Sequence, residues 1–138
     1  MMRMAPVFRG LVRLWRDRSG TTLVEFAITL PVTVMIILGG VEFGRVYWVR
    51  HTLQFAAEET GRYAMAHAST TTDQLKSYAQ SNLPGIDPAS ATVTVTPDSV
   101  DNTNFVTITV TAPFNFLIPF VDLSSMTLTG TTRVPLLS

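Results

Sequence analysis

The sequence predicts an α+β chain in which a long N-terminal helix crosses a membrane, continues as an amphipathic helix and packs on a small antiparallel sheet. Three observations carry this expectation. Phe26 to Val41, FAITLPVTVMIILGGV, runs for sixteen residues without a charge. Arg50 to Ala68 keeps its apolar residues at helical spacing, and from Thr92 onward apolar residues alternate with threonine. The expected units are a basic leader over 1–20, a transmembrane helix over 21–49, amphipathic helices over 50–84 and a small sheet module over 85–138.

The leader carries Arg3, Arg9, Arg13, Arg16 and Arg18, opposed only by Asp17, whereas beyond Gly20 nine acids face five bases. A basic head before an apolar run predicts a membrane protein with its head in the cytoplasm and its mildly acidic, Thr-rich remainder on the other side. At 1.5 Å per residue the uncharged run covers roughly 24 Å of a hydrocarbon core of about 30 Å. Leu23 and Val24 before it and Phe43 to Val49 after it complete the span, and Tyr47 and Trp48 fall where interfacial aromatics belong. Glu25 and Glu42 bracket the run, so neither needs to lie at the bilayer centre. The run is long for a cleaved signal peptide, starts with an acid and lacks a small-residue cleavage site after it, so the segment is expected to stay with the mature chain.

Pro31 frees one backbone carbonyl inside the helix and predicts a kink, the carbonyl being satisfied again by neighbours or by Thr hydroxyls. Gly40 and Gly44 form a G-x-x-x-G spacing that permits close helix approach, or a flexible joint. Val46, Val49, Leu53, Ala56, Ala57 and Ala64 make one apolar stripe, and a shorter helix runs from about Thr72 to Leu83, ending at Pro84-Gly85. Strands are expected over Thr92–Thr96, Phe105–Thr111 and Met126–Val134. Pro97-Asp98 and Asp101-Asn102 supply the first turn. PFNFLIPF, Pro113 to Phe120, holds two prolines and reads as a loop packed under the sheet. The apolar face of the sheet needs a cover, which the amphipathic helix provides.

The chain has no cysteine, which excludes disulfides, thiolate metal sites, thiol nucleophiles and a lipidated N-terminal cysteine. An exported module of about 70 residues must then be held by packing alone, which is marginal and favours support from the long helix or from partners. No catalytic constellation assembles: His51 and His67 stand sixteen positions apart, and there is no phosphate loop and no G-x-S-x-G. The acids have ordinary readings. Glu58 and Glu59 are solvated, Glu42 pairs locally with Arg45, and Asp73, Asp98 and Asp101 serve caps and turns. The chain is therefore expected not to be an enzyme, to hold no metal or cofactor and to bind no nucleic acid.

The junction at Gly20 is the distinctive feature. Basic residues, Ser19-Gly20, four modest residues, Glu25-Phe26 and then an apolar helix resemble the processing site of type IV prepilins. More closely, Gly20, Glu25-Phe26, Leu30-Pro31, Val41-Glu42-Phe43-Gly44-Arg45 and Thr60-Gly61-Arg62-Tyr63-Ala64 resemble, in order, the TadE/TadG-like proteins of the tight-adherence (Tad/Flp) pilus system. The C-terminal V-x-I-x-V strand, Phe/Pro-rich loop and Thr-rich final strand extend the resemblance over residues 18 to about 135. The part before Gly20 departs from the pattern, being rather long and amphipathic through Val7, Leu11, Leu14 and Trp15, which suits the inner leaflet.

The resemblance implies a minor pilin or pseudopilin that is a substrate and not an enzyme. A prepilin peptidase would cut after Gly20 and leave Thr21 as the new N-terminus, glycine letting the peptidase approach the backbone. The new ammonium would lie about 6 Å along the helix from Glu25, which could pair with the ammonium of a neighbouring subunit on assembly. Implied partners are the peptidase, other pilins and pseudopilins, pilus assembly platform proteins and the lipid bilayer. The alternatives are an uncleaved single-pass assembly factor of the same machine, with the arginine-rich head as a permanent anchor, and an adhesin-like surface module.

Overall fold

The computed structural model describes residues 19–67, 69–117 and 126–136. Its elements are α1 (Ser19–Ala66), α2 (Thr72–Ser81), β1 (Thr92–Val100), β2 (Thr103–Phe114) and β3 (Met126–Pro135), with the strands in the order β1-β2-β3 and both pairings antiparallel. Two compact units divide at Gly40/Val41.

In the first unit, α1 is apolar on every side. Leu23, Val24, Phe26, Ile28, Leu30, Val32, Val34, Met35, Ile36, Ile37 and Leu38 are all exposed. A helix with no polar face needs an apolar surrounding. At about 1 kcal/mol for each partly bared side chain, leaving eleven such residues in water would cost on the order of 10 kcal/mol, which rivals the whole stability of a domain. By length and composition this helix can cross a membrane.

The second unit is a helix pair laid on one face of the sheet. Leu53, Ala56, Ala57 and Ala64 of α1 and Leu75 and Ala79 of α2 meet Val93, Val106, Ile108, Val110, Ala112, Phe114 and Leu128 in one core, with Val46 and Val49 partly buried at its margin. The stripe expected on the amphipathic half of α1 is therefore the buried face. Its residues are small, so the helix axis comes close to the sheet. The approach is tightest at Gly130, where an added Cβ would stand 2.4 Å from the Gln54 nitrogen and the Leu53 carbonyl carbon. Gly61 faces Val134 and Thr132 in the same way, a Cβ there standing 3.0 Å from Val134 Cγ1. Thr60, buried among these residues, donates its hydroxyl to the Ala56 carbonyl at 2.7 Å and so leaves no polar group unmatched.

α2 begins with a capping box. The Thr71 hydroxyl accepts from the Gln74 N–H, and the Gln74 side chain accepts from the Thr71 N–H. The helix ends at Ser81, two residues short of the expected Leu83, with Asn82 as its C-cap.

Two turn and loop expectations are corrected. Pro97 and Asp98 lie within β1, and the turn is Asp101-Asn102 alone, with φ of 49° and 61°. Two positive φ values in a two-residue loop make the type I′ hairpin that matches strand twist, and Asn and Asp tolerate that region best after glycine. Asp98 instead receives Arg133 Nη2 at 2.8 Å across the sheet. Pro113 and Phe114 likewise close β2, while Asn115–Leu117 follow as irregular chain and Ile118–Phe120 lie outside the described residues.

The prolines fit because of ladder parity. The hairpin closes on Val100↔Thr103, so even residues of β1 face odd residues of β2 through hydrogen bonds. Pro97 then turns its missing N–H to the open edge. Pro113 turns its own toward β1, which has already ended at Thr92↔Thr111. Pro135 of β3 faces the opposite edge. None of the three removes a ladder bond.

Candidate functional site on the long helix

Gly20 and Thr21 occupy the first turn of α1, where the leading N–H groups have no acceptor within the helix. Both are exposed, and a Cβ on Gly20 would meet nothing within 4 Å. Glu25 and Phe26 follow one turn later, exposed as well, and Glu25 has no ion-pair partner among the described residues. The backbone here is reinforced from within. Thr29 Oγ1 donates to the Glu25 carbonyl at 2.9 Å, and Thr33 Oγ1 donates to the Thr29 carbonyl at 2.9 Å.

Helix α1 runs through Pro31 without interruption. The carbonyl that Pro31 deprives of a donor is that of Ala27, four residues back. Of the two expected donors, the nearby threonines go elsewhere: Thr29 and Thr33 bond the carbonyls of Glu25, Phe26 and Thr29. Gly40 and Gly44 both have open space where a Cβ would stand, as a close helix contact requires.

The second unit opens on a buried carboxylate. Glu42, whose side chain is only 7% exposed, receives Arg45 Nη1 on both oxygens at 2.9 Å. Its Oε1 also accepts the backbone N–H of Leu117 at 2.7 Å, across 75 residues of sequence. Arg45 in turn lies 5.0 Å over the Phe114 ring, and Phe114 meets Phe116 edge-on at 5.1 Å. The local pair expected from the three-residue spacing is present, but the carboxylate does more. It ties the chain after β2 to the helix, and charge-assisted bonds of this kind are the strong ones.

Gln54 makes a second tie from α1 to a distant part of the chain. Its side-chain amide donates to the Thr131 carbonyl and accepts from the Thr131 N–H, both at 3.1 Å, so it takes the place of a neighbouring strand at that rung of β3. The glycine in TLTGTT marks the close approach; nothing local marks Gln54.

Both histidines lie at the surface. His51 meets Tyr47 edge-on at 4.4 Å, and His67 stacks on Tyr63 at 4.3 Å, with Tyr78 on the same ring at 4.2 Å. Among the described residues no group of three acids or histidines could hold a metal ion. Glu59 pairs with Arg62 at 3.1 Å and Asp73 with Lys76 at 3.4 Å, both near the surface, while Glu58 accepts from the Gln54 amide at 2.8 Å.

A family model described as TadE-like protein matches residues 20–70. No curated protein and no solved structure matches the chain. The match begins at Gly20, includes the Glu25-Phe26, Leu30-Pro31 and Glu42–Arg45 elements, and stops before α2; the strand pattern of the wider resemblance lies beyond it. The helix head with its glutamate, the apolar run and the amphipathic half of α1 all fall within the stretch that is similar to TadE-like proteins.

Proposed function

We propose that this protein is a minor pilin or pseudopilin needed for assembly of Tad/Flp-type pili, processed by a prepilin peptidase between Gly20 and Thr21. A TadE-like segment points to the Tad pilus system, and the helix it opens can cross a membrane once. The observation that supports the finer reading is Glu25: an acid set at the head of an apolar helix, exposed and without an ion-pair partner among the described residues. An acid at a helix centre costs roughly 2.5 kcal/mol or more on insertion scales; Glu25 brackets the run near its cytoplasmic end, so it needs a compensating charge once helices bundle around it and exclude water.

Cleavage supplies the charge. Hydrolysis of the Gly20–Thr21 peptide bond adds one water, frees a carboxylate on the departing leader and leaves an ammonium on Thr21. When helices bundle, that ammonium on one subunit pairs with Glu25 of the next. A slipped register buries both charges unpaired, so the pair selects one register. The apolar flanks of α1 and the open faces of Gly40 and Gly44 supply the packing surface, with pilins, pseudopilins and platform proteins as partners.

Intact mass of the chain from cells with and without the peptidase tests the first step. Loss of residues 1–20 only where the peptidase is present is expected; an unchanged full-length mass refutes processing and leaves the uncleaved assembly factor. Replacing Glu25 by Gln or Ala tests the second. The processed variant should remain in the membrane yet fail to enter the pilus or its assembly complex, and undiminished incorporation would refute the pairing.

A further inference from the structure

The chain after β2 carries an exposed leucine that is not loosely held. Leu117 is 70% exposed, yet its N–H is fixed to a buried carboxylate at 2.7 Å and its neighbour Phe116 packs edge-on against buried Phe114. Its anchor, Glu42, is the first charged residue after the sixteen uncharged positions of α1. That bond therefore sets Leu117 at the height on the helix where the apolar run ends. Phe43, beside Glu42, is 74% exposed, and Tyr47 follows one turn on. Arg45, partly exposed, stands among them with a guanidinium suited to phosphate.

We infer that Leu117, held by Glu42, is a second membrane contact, seated with Phe43 and Tyr47 in the headgroup and acyl-chain boundary of the bilayer. This rests on the reading that residues 26–41 cross that bilayer. Apolar groups of interfacial elements settle about 5–10 Å into this boundary, and aromatics with a cationic neighbour are the usual anchors there. The far end of the sheet stays clear: Phe114 lies by Arg45, Gly130 opposite Val110 lies by Leu53, and Val134 opposite Val106 lies by Gly61, so β2 leads from its hairpin end, farther along α1, back to Phe114. The module is thereby seated on the membrane at the Phe114 end, with the hairpin at Asp101-Asn102 carried away from it.

The absence of cysteine makes the test direct. Leu117→Cys, Val100→Cys and Ile36→Cys are introduced singly into the full chain, labelled with an environment-sensitive fluorophore and reconstituted into phosphatidylcholine vesicles containing lipids spin-labelled near the headgroup or deeper in the chain. All three side chains are exposed, so each substitution leaves the core intact. The label at 117 should lose at least half its emission to the shallow quencher, that at 36 should respond to the deeper one, and that at 100 to neither. Adding Glu42→Ala should cut the quenching at 117 by at least half, and no change there refutes the role of Glu42 in setting the depth. Quenching at 36 with none at 117 overturns the inference while the membrane-crossing reading stands. No quenching at 36 overturns both. A label at 117 shielded from aqueous iodide but untouched by either lipid quencher indicates a protein partner and overturns the assignment to lipid.

Discussion

Gly130→Ala isolates the closest approach between α1 and the sheet. A Cβ at 130 would stand 2.4 Å from Gln54 N and Leu53 C and 2.5 Å from Leu53 O, all backbone atoms of a helix that cannot swing aside as a side chain can. Ordinary contact starts near 3.4 Å, so α1 must retreat by about 1 Å from β3. The same movement carries the two Gln54–Thr131 bonds from 3.1 Å to about 4 Å, beyond hydrogen-bonding range. Losing two such bonds costs about 0.5–1.5 kcal/mol each, and strain from overpacking adds roughly 1–3 kcal/mol. The expected loss is about 2–6 kcal/mol against a typical domain stability of 5–15 kcal/mol. With a urea dependence of about 2 kcal/mol per molar, a loss of about 4 kcal/mol lowers the midpoint by about 2 M. The measurement is a urea titration of the full chain in detergent followed by circular dichroism, with hydrogen exchange at the Thr131 amide. Gly40→Ala is the control, since a Cβ there meets nothing and alanine favours the helix by up to about 1 kcal/mol. A Gly130→Ala midpoint equal to that of the parent, with Thr131 still protected, would refute the packing argument.

Other substitutions have smaller or more local effects. Glu42→Ala removes a charged acceptor from Leu117 N–H and Arg45, and should lower stability by about 1.5–3 kcal/mol while speeding exchange at the Leu117 amide above all others; uniform exchange would contradict the anchoring role. Thr71→Ala breaks the capping box and should cost about 1 kcal/mol, read as faster exchange at Gln74 with the sheet amides unchanged. Asp98→Ala removes a pair about half exposed on each side, so its effect should stay below about 1 kcal/mol and shrink further in high salt; a larger, salt-insensitive loss would show that Arg133 depends on more than charge.

Much of this layout was legible in the sequence because short-range patterns carry it. The uncharged run, the Leu53–Ala64 stripe and the Thr alternation each report the environment of a face. Period alone tells helix from strand. The Thr71-x-x-Gln74 signature was readable too, although the helix was expected to begin with no cap named. The prolines misled because the penalty for proline in a strand depends on which side of the ladder its nitrogen faces, and parity is known only once the hairpin is placed. Asp98–Arg133, Gln54–Thr131 and Glu42–Leu117 join residues 35, 77 and 75 positions apart, so no local spacing announces them. At the candidate site, Gly20 to Phe26 was found by motif alone, and the family match over residues 20–70 covers the same stretch. The Glu42–Arg45 element is readable as a local motif, whereas its hold on Leu117 depends on how the chain after β2 folds back onto α1.

A three-stranded sheet has two rims, and copies of such a chain brought close together would ordinarily be at risk of joining rim to rim. Here the rims are spoiled in different ways. Pro97 and Pro135 withhold a donor from any incoming chain, and Gln54 already satisfies the Thr131 rung with its own amide. Growth of the sheet from copy to copy is thereby discouraged at the rungs that Pro97, Pro135 and Gln54 occupy.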